Sequence, residues 1–183
     1  AKAIGYPCVV KPVGAGSSVG VSLVAAEDGM EAAIVRAQEA DPQGRCRVEQ
    51  YTEGLEVSGP VLRRDGHVET LPCVAIRPAR PFYDYEAKYL SEGTDYECPA
   101  PIADGVRQEI ESLAKGLYAA LDLRGVVRLD VIVRAADDVP VFLELNTLPG
   151  FTAHSLVPLA AQVAGLDPAQ LLLALVDEAG AAP

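Results

Sequence analysis

The chain has 183 residues, of which half are apolar and 22% are charged, and its formal net charge is −11. This length supports one substantial core or two small lobes, and the acidic balance disfavours nucleic acids and anionic membranes as main partners. No apolar run reaches the roughly 20 residues that a membrane-spanning helix needs, and no secretory signal is visible.

The four cysteines are widely spaced and form no C-x-x-C pair: Cys8, Cys46, Cys73 and Cys98. This pattern predicts buried free thiols in the reducing cytosol, and hence a cytoplasmic protein. The chain opens without Met at "AKAIGYPCVV", already close to a strand pattern. That opening favours a fragment or a processed piece of a longer protein.

In chain order, the apolar periodicity predicts an α+β fold in which antiparallel hairpins outnumber βαβ units. The predicted strands are 6–11, 19–24, 46–51, a hairpin over 55–76 that turns at Asp65-Gly66, and a second hairpin formed by 125–135 and 139–146. The predicted helices are 26–41, 104–123, 155–164 and 167–179. Residues 77–101 are crowded with Tyr, Pro and charges, which predicts a long loop that is functional or disordered.

The second hairpin carries oxygen ligands near the end of an apolar run. Arg128 and Asp130 are two residues apart, as are Glu144 and Asn146, so each pair shares one face of its strand. Carboxylate and amide oxygens suit Mg²⁺, whose remaining ligands are usually water and phosphate. The alternative is a sheet with one solvated face. The buried appearance of "VIV" and "VFL" weakens that alternative, because buried charges need partners.

A glycine-rich segment, "VVKPVGAGSSVGVSLV" at 9–24, separates the first two predicted strands. Its glycines allow close backbone approach to a ligand, and its serines add hydroxyl donors. The segment lacks the Gly-Lys-Ser/Thr of a P-loop, and a strand follows it instead of a helix. A hairpin that folds over phosphates and a plain flexible turn both fit this pattern.

Two further segments are less specific. "RPFYDYEAKYL" (80–90) could close over a reaction and exclude water, or could pack as a tyrosine-rich surface loop. "VEQYTEGLEV" (48–57) could offer backbone groups to a heterocycle and an acid to ribose hydroxyls. Its glutamates could equally be solvated surface charges.

Taken together, five ordered segments resemble the D-alanine–D-alanine ligases of the ATP-grasp superfamily, from about residue 5 to residue 178. They are "VVKPVGAGSSVGV", "EQYTEGLEV", "FYDYEAKY", "RLDVIV" and "LELNTLPGFTAHSLVP". The resemblance implies an ATP-grasp fold with two antiparallel-sheet lobes and flanking helices around a nucleotide cleft. Residues 1–52 would form part of the central lobe with the phosphate loop, and 53–183 the C-terminal lobe with the metal and substrate site.

The resemblance also implies a reaction. ATP phosphorylates the carboxylate of one D-alanine, and the amine of a second D-alanine attacks the acyl phosphate, for peptidoglycan precursor synthesis. Both steps concentrate negative charge, so positioning and electrostatic stabilisation would dominate catalysis.

By the same resemblance, site roles fall on particular residues of this sequence. The metal ligands for two Mg²⁺ ions (Mn²⁺ being an alternative) are Asp130, Glu144 and Asn146. The phosphate contacts are Lys11, Lys88, Ser17 and Ser18, and the adenine and ribose contacts are Glu49, Tyr51, Thr52, Glu56, Phe82 and Leu143. The residues for the reacting groups and the second substrate are Arg128, Gly150, Ser155 and Leu156, while Tyr89 and Ser17 lock the loop and orient substrate.

The family's N-terminal domain, which supplies a Glu to the first D-alanine, has no counterpart in this sequence. The chain is therefore expected to bind Mg-ATP weakly and to ligate poorly by itself, and homodimerisation is expected only of a full-length parent. Two alternatives stay open: another ATP-grasp carboxylate–amine ligase, such as a D-alanine–D-lactate ligase, or a nucleotide-binding module without turnover. "FYDYEAKY" favours dipeptide formation, which predicts that D-lactate is a poor substrate.

Overall fold

A computed structural model of the chain describes residues 3–78, 94–152 and 155–180. By contact density it divides into two compact units, one formed by Ala1–Thr52 and Pro78–Asp95 and the other by Glu53–Arg77 and Tyr96–Pro183. The described elements mix helices with antiparallel strands, as the sequence predicts.

The first unit contains a three-stranded antiparallel sheet in the order β2-β1-β3, formed by β1 (Cys8–Pro12), β2 (Ser22–Val24) and β3 (Cys46–Gln50). Helix α1 (Met30–Ala40) follows a short 3₁₀ turn at Glu27–Gly29 and packs on this sheet. Alternation along β1 places Cys8 and Val10 in the shared core, so Lys11 faces away from α1.

The predicted helix 26–41 is too long at both ends, and its C-terminal end has a clear cause. Asp41 adopts extended backbone angles and precedes a proline, and a residue before proline disfavours the helical region. The predicted strand 19–24 is also too long, because residues 17–20 form turns before β2 begins.

The second unit contains a six-stranded sheet. Its main path is β7 (Asp95–Glu97), β6 (Val74–Arg77), β4 (Gly54–Arg64), β8 (Val126–Arg134) and β9 (Pro140–Asn146), with β5 (His67–Thr70) also paired to β4. The predicted hairpin turn at Asp65-Gly66 is confirmed, with both residues at positive φ. Pro72 lies in the break between β5 and β6, where a residue without an N–H interrupts strand pairing. Strand β7 lies within the predicted loop 77–101, so that prediction was wrong for its last part.

Helix α2 (Asp104–Ala120) packs on one face of this sheet, where Ile110, Ala114 and Tyr118 join alternate residues of β4 and β8 in one core. Val57 and Leu129 belong to that core. Because strand side chains alternate, the residues next to them, Ser58 and Asp130, lie on the opposite face.

Helices α3 (Leu156–Val163) and α4 (Pro168–Gly180) complete the unit, and both contact β4. In the described part of the chain no single helix is long and apolar enough to cross a membrane; α3 and α4, bent by 109°, meet that test only as a pair. All four cysteines are free thiols, as predicted, but only Cys8 and Cys73 are buried.

Candidate active site

The four residues predicted for the metal and phosphoryl site occupy two cross-strand pairs of β8 and β9. Asp130 is the Cα partner of Glu144, and Arg128 is the partner of Asn146. The structure therefore brings all four residues together at one end of this hairpin. Asp130 is buried and Arg128 is mostly so, whereas Glu144 is exposed.

Leu143 occupies a bulge that sequence reasoning missed. The register moves from Asp130 opposite Glu144 to Val131 opposite Phe142, which leaves Leu143 without a partner on β8. A bulge inserts one residue and bends its strand, and such bulges are common beside functional sites. No turn residue or glycine marks the position in the sequence.

The carboxylate of Asp130 accepts hydrogen bonds from two side chains. Arg128 donates from Nε to Oδ1 and from Nη2 to Oδ2, each at 2.8 Å, and the Oγ of Ser58 donates to Oδ1 at 2.8 Å. Ser58 is fully buried and is the Cα partner of Asp130 on β4. Ser58 was not among the predicted site residues. The sequence signal that could have found it is a serine inside an otherwise apolar strand, two residues after Glu56 and therefore on the same face.

The donor set fits a hard divalent cation. Two carboxylates and one amide oxygen are the ligands that Mg²⁺ prefers, with water and phosphate filling the remaining positions. Within the described ranges, no group of three or more His, Cys, Asp or Glu side chains is arranged to hold a metal. The fit therefore depends on Asn146 as the third donor. Its Oδ1 accepts the Leu148 N–H at 3.1 Å, which fixes the amide at the strand end.

The N-terminal end of α3 adjoins this hairpin in sequence. Ser155 is the residue that precedes the helix, but its hydroxyl caps no helical N–H. It accepts instead from the Thr152 N–H at 3.0 Å, and a Cβ on Gly150 would lie 3.1 Å from it. Leu156, the first helical residue, is buried. The first N–H groups of a helix favour an anion.

In the first unit, Lys11 and Glu49 form an ion pair. The Lys11 Nζ lies 2.5 Å from Glu49 Oε2, and Arg47 Nε lies 3.0 Å from Glu49 Oε1. All three residues project from the sheet face opposite α1, because they alternate with the core residues of β1 and β3. The predicted phosphate and adenine contacts are thus neighbours.

The glycine-rich loop has unusual backbone angles. Ser17 and Ser18 have φ values of 53° and 57°, a left-handed conformation that costs on the order of 1–3 kcal/mol in a non-glycine residue. Gly20, at φ 74°, lies so close to α1 that an added Cβ would come 2.5 Å from the Ala40 Cβ. Packing on α1 therefore requires glycine at position 20, while the two serines adopt backbone angles that are uncommon for residues with a Cβ.

Asp41 holds the start of this loop and was missed by sequence reasoning. Its buried carboxylate accepts from the backbone N–H groups of Gly14, Gln43 and Arg45. These amides, first that of Arg45, lower the pKa of Asp41 to about 2 against the opposing effect of desolvation. The signal available in the sequence was an Asp-Pro pair closing a helical pattern.

Three predicted contacts lie close in sequence to the division between the units. Tyr51 donates its N–H to the Pro7 carbonyl at 3.4 Å, and Thr52 is the last residue before the division at Glu53. Glu56 is partly buried in β4. Predictions for three other residues, namely Phe82, Lys88 and Tyr89, lie outside the described residues.

Comparison with known proteins identifies the family. The sequence profile of a family described as "D-ala D-ala ligase C-terminus" matches residues 1–177. The chain belongs to the D-alanine–D-alanine ligase family. The resemblance inferred from the five motifs is thereby confirmed.

Relatives agree with this assignment. A D-alanine–D-alanine ligase of Methylibium petroleiphilum is 39% identical over 176 residues, covering 96% of this chain and 54% of the relative. A D-alanine–D-alanine ligase of Ralstonia pickettii is 37% identical over 176 residues, which cover 96% of this chain and 53% of the relative. The chain thus spans about half the length of the curated relatives that it matches.

Solved structures give the same family and fold. The D-alanine–D-alanine ligase of Bacillus anthracis has a TM-score of 0.79 at 31% identity, covering 97% of this chain and 55% of that one. The VanG D-Ala:D-Ser ligase of Enterococcus faecalis has a TM-score of 0.79 at 32% identity, covering 95% and 50%. A Bacillus anthracis ligase complexed with ATP has a TM-score of 0.75. The predicted α+β, ATP-grasp class is confirmed.

Proposed function

We propose that this chain carries the nucleotide and metal site of a cytoplasmic ligase that joins two D-alanine molecules at the expense of ATP, for peptidoglycan precursors. The observation that carries the proposal is the convergence of Arg128, Asp130, Glu144 and Asn146 on adjacent strand pairs. Membership of the ligase family supports it.

The first unit supplies groups for the nucleotide. Lys11 and the hydroxyls of Ser17 and Ser18 would contact phosphates, because a cation and hydrogen-bond donors suit a polyanion. Glu49 and the Tyr51–Thr52 backbone would contact adenine. In the second unit Glu56 would take the ribose hydroxyls, and Leu143 in its bulge would form an apolar wall. Roles for Phe82, Lys88 and Tyr89 stay predictions.

The second unit supplies groups for the metal and the reacting carboxylate. Asp130, Glu144 and Asn146 would hold Mg²⁺ or Mn²⁺, which when bound neutralises phosphate charge. Arg128 would then interact with the transferring phosphoryl group and with the oxyanion that follows, using the guanidinium that bonds Asp130 in this structure.

The loop before α3 would bind the second substrate. The Gly150 N–H would donate to the developing oxyanion. Ser155 and Leu156 at the start of α3 would bind the carboxylate of the second D-alanine, because the N-terminus of a helix attracts an anion. The amine of that substrate would then attack the acyl phosphate, and phosphate would leave.

Two alternatives keep specific support. A ligase with a different second substrate is favoured by the similarity to a D-Ala:D-Ser ligase. A nucleotide-binding module without turnover is favoured by the chain's spanning only about half of its relatives. Homodimerisation is proposed only for a longer parent.

The experiment supplies Mg-ATP and D-alanine to the chain, follows phosphate release, and identifies the product by mass spectrometry. We expect slow D-alanine-dependent phosphate release with formation of the D-alanyl dipeptide, and still less turnover with D-lactate or D-serine as second substrate. Calorimetry with Mg-ADP tests the alternative of a nucleotide-binding module without turnover. Binding without turnover supports the module interpretation of this chain, and failure to bind nucleotide contradicts the proposal.

A further inference from the structure

Ser58 contacts Asp130 from a position that strand pairing fixes. It lies on β4, the strand between β6 and β8, and is fully buried. Its backbone is the Cα partner of Asp130, and its hydroxyl donates to Asp130 Oδ1 at 2.8 Å. A buried donor of this kind has little freedom to move, because the strands on both sides hold its backbone.

Arg128 contacts the same carboxylate in a different way. Its long side chain reaches Asp130 from two residues away on the same strand and occupies both carboxylate oxygens. Its Nη2 lies 2.8 Å from Oδ2, so a divalent cation on that oxygen would lie beside the guanidinium, and the two positive charges repel each other. Cation binding at Asp130 therefore favours withdrawal of Arg128 from Oδ2.

The two partners of Asp130 thus differ in whether their hydrogen bond to the carboxylate can stay when a divalent cation binds. Of the two side chains that bond this carboxylate in the described part of the chain, Ser58 bonds only Oδ1 and keeps its bond unchanged when a cation takes the place of Arg128 at Oδ2. Groups that hydrogen-bond a metal ligand set its orientation, and removing them commonly weakens metal binding by about ten- to a hundredfold.

We propose that Ser58 is a positioning residue that fixes Asp130 Oδ1, so that a divalent cation and Arg128 exchange at Oδ2. This inference rests on the proposed function, since it needs a cation at Asp130. Ser58 touches neither metal nor substrate in this role. It acts by holding the carboxylate in one rotamer in both states.

The test measures Mn²⁺ binding by electron paramagnetic resonance, with Mn²⁺ alone and with Mn²⁺ plus ADP. We expect Ser58→Ala to weaken Mn²⁺ binding by at least about tenfold, and Ser58→Thr, which keeps a hydroxyl, to restore most of the affinity. Val61→Ala is the matched control. It truncates a buried residue on the same strand that belongs to the α2 core, so it lowers stability without touching Asp130.

Asp130→Asn separates the inference from the function on which it rests. If Asp130→Asn weakens Mn²⁺ binding and Ser58→Ala does not, the positioning role of Ser58 is wrong and the metal site stands. If neither variant changes the affinity, or the unaltered chain binds no Mn²⁺, both proposals are wrong. Equal losses in Ser58→Ala and Val61→Ala would also overturn the positioning role, because reduced stability would then account for the effect.

Discussion

Two buried aspartates, one in each unit, are held by different kinds of partner. Asp41 accepts hydrogen bonds from three backbone N–H groups, at Gly14, Gln43 and Arg45. Asp130 accepts its hydrogen bonds from two side chains, Ser58 and Arg128. Both carboxylates are almost completely removed from solvent.

This difference separates a structural carboxylate from an exchangeable one. Backbone donors cannot leave without distorting the chain, so Asp41 is committed to fixing the glycine-rich loop to the end of α1. A guanidinium on a flexible stem can leave, as the proposed exchange with a divalent cation at Asp130 requires. Burial alone does not distinguish these roles; the type of donor does.

The largest effect is expected from Arg128→Met, and it should have opposite signs in two measurements. Mn²⁺ binding to the nucleotide-free chain should tighten by about tenfold or more, because a competing positive charge beside Asp130 is removed. Where D-alanine-dependent phosphate release is measurable, it should fall by about a thousandfold, as when an arginine that stabilises a transferring phosphoryl group is lost. Weaker Mn²⁺ binding in this variant would contradict the exchange.

Gly20→Ala tests whether the glycine-rich loop is held in place against α1. The substitution places a Cβ against Ala40 at a residue with positive φ, and we expect a loss of about 3 kcal/mol in the free energy of unfolding. Urea denaturation measures it. Gly16→Ala is the control, since no atom lies within 4 Å of its added Cβ and no positive φ is recorded there. Similar losses in both variants would mean that the loop is not fixed at Gly20.

The sequence predicted the cluster on β8 and β9 because period-two alternation and the hairpin turn determine which residues share a face. It did not predict Ser58, Asp41 or the bulge at Leu143. Ser58 meets Asp130 through strand pairing across 72 residues, and Asp41 meets Gly14 across 27. Local patterns carry no information about such distant contacts. The sequence also did not predict β7 within residues 77–101, because a three-residue strand is too short to show a periodic pattern.

Asp41→Asn is expected to lower stability in a pH-dependent way. The pKa of Asp41 is about 2 in the folded chain, against an ordinary value of 3.8 for an aspartate carboxyl in an unfolded chain. The ionised carboxylate therefore stabilises the fold fully above the unfolded pKa, and that contribution is lost as the pH falls from about 4 through 2. The unfolding free energies of the variant and the unaltered chain should converge across this range. A difference that stays constant with pH would show that charge plays no part.

The smallest effect is expected from Asp137→Asn at the tip of the β8–β9 hairpin. Arg134 donates to Asp137 from Nε and Nη2 at 2.7 Å, and this contact lowers the pKa of Asp137. The geometry resembles that of Arg128 and Asp130, but both side chains are more than 40% exposed. Solvent screening should leave no resolvable change in the urea midpoint. A clear loss that disappears in about 1 M salt would mean that exposed pairs matter more here than the comparison allows.

The most direct test of the metal site is anomalous diffraction from crystals of the chain grown with Mn²⁺ and ADP. We expect Mn²⁺ bound by oxygens of Asp130, Glu144 and Asn146, with the Ser58 bond to Oδ1 intact and Arg128 withdrawn from Oδ2. Mn²⁺ bound elsewhere, with the Arg128–Asp130 ion pair unchanged, would contradict the account.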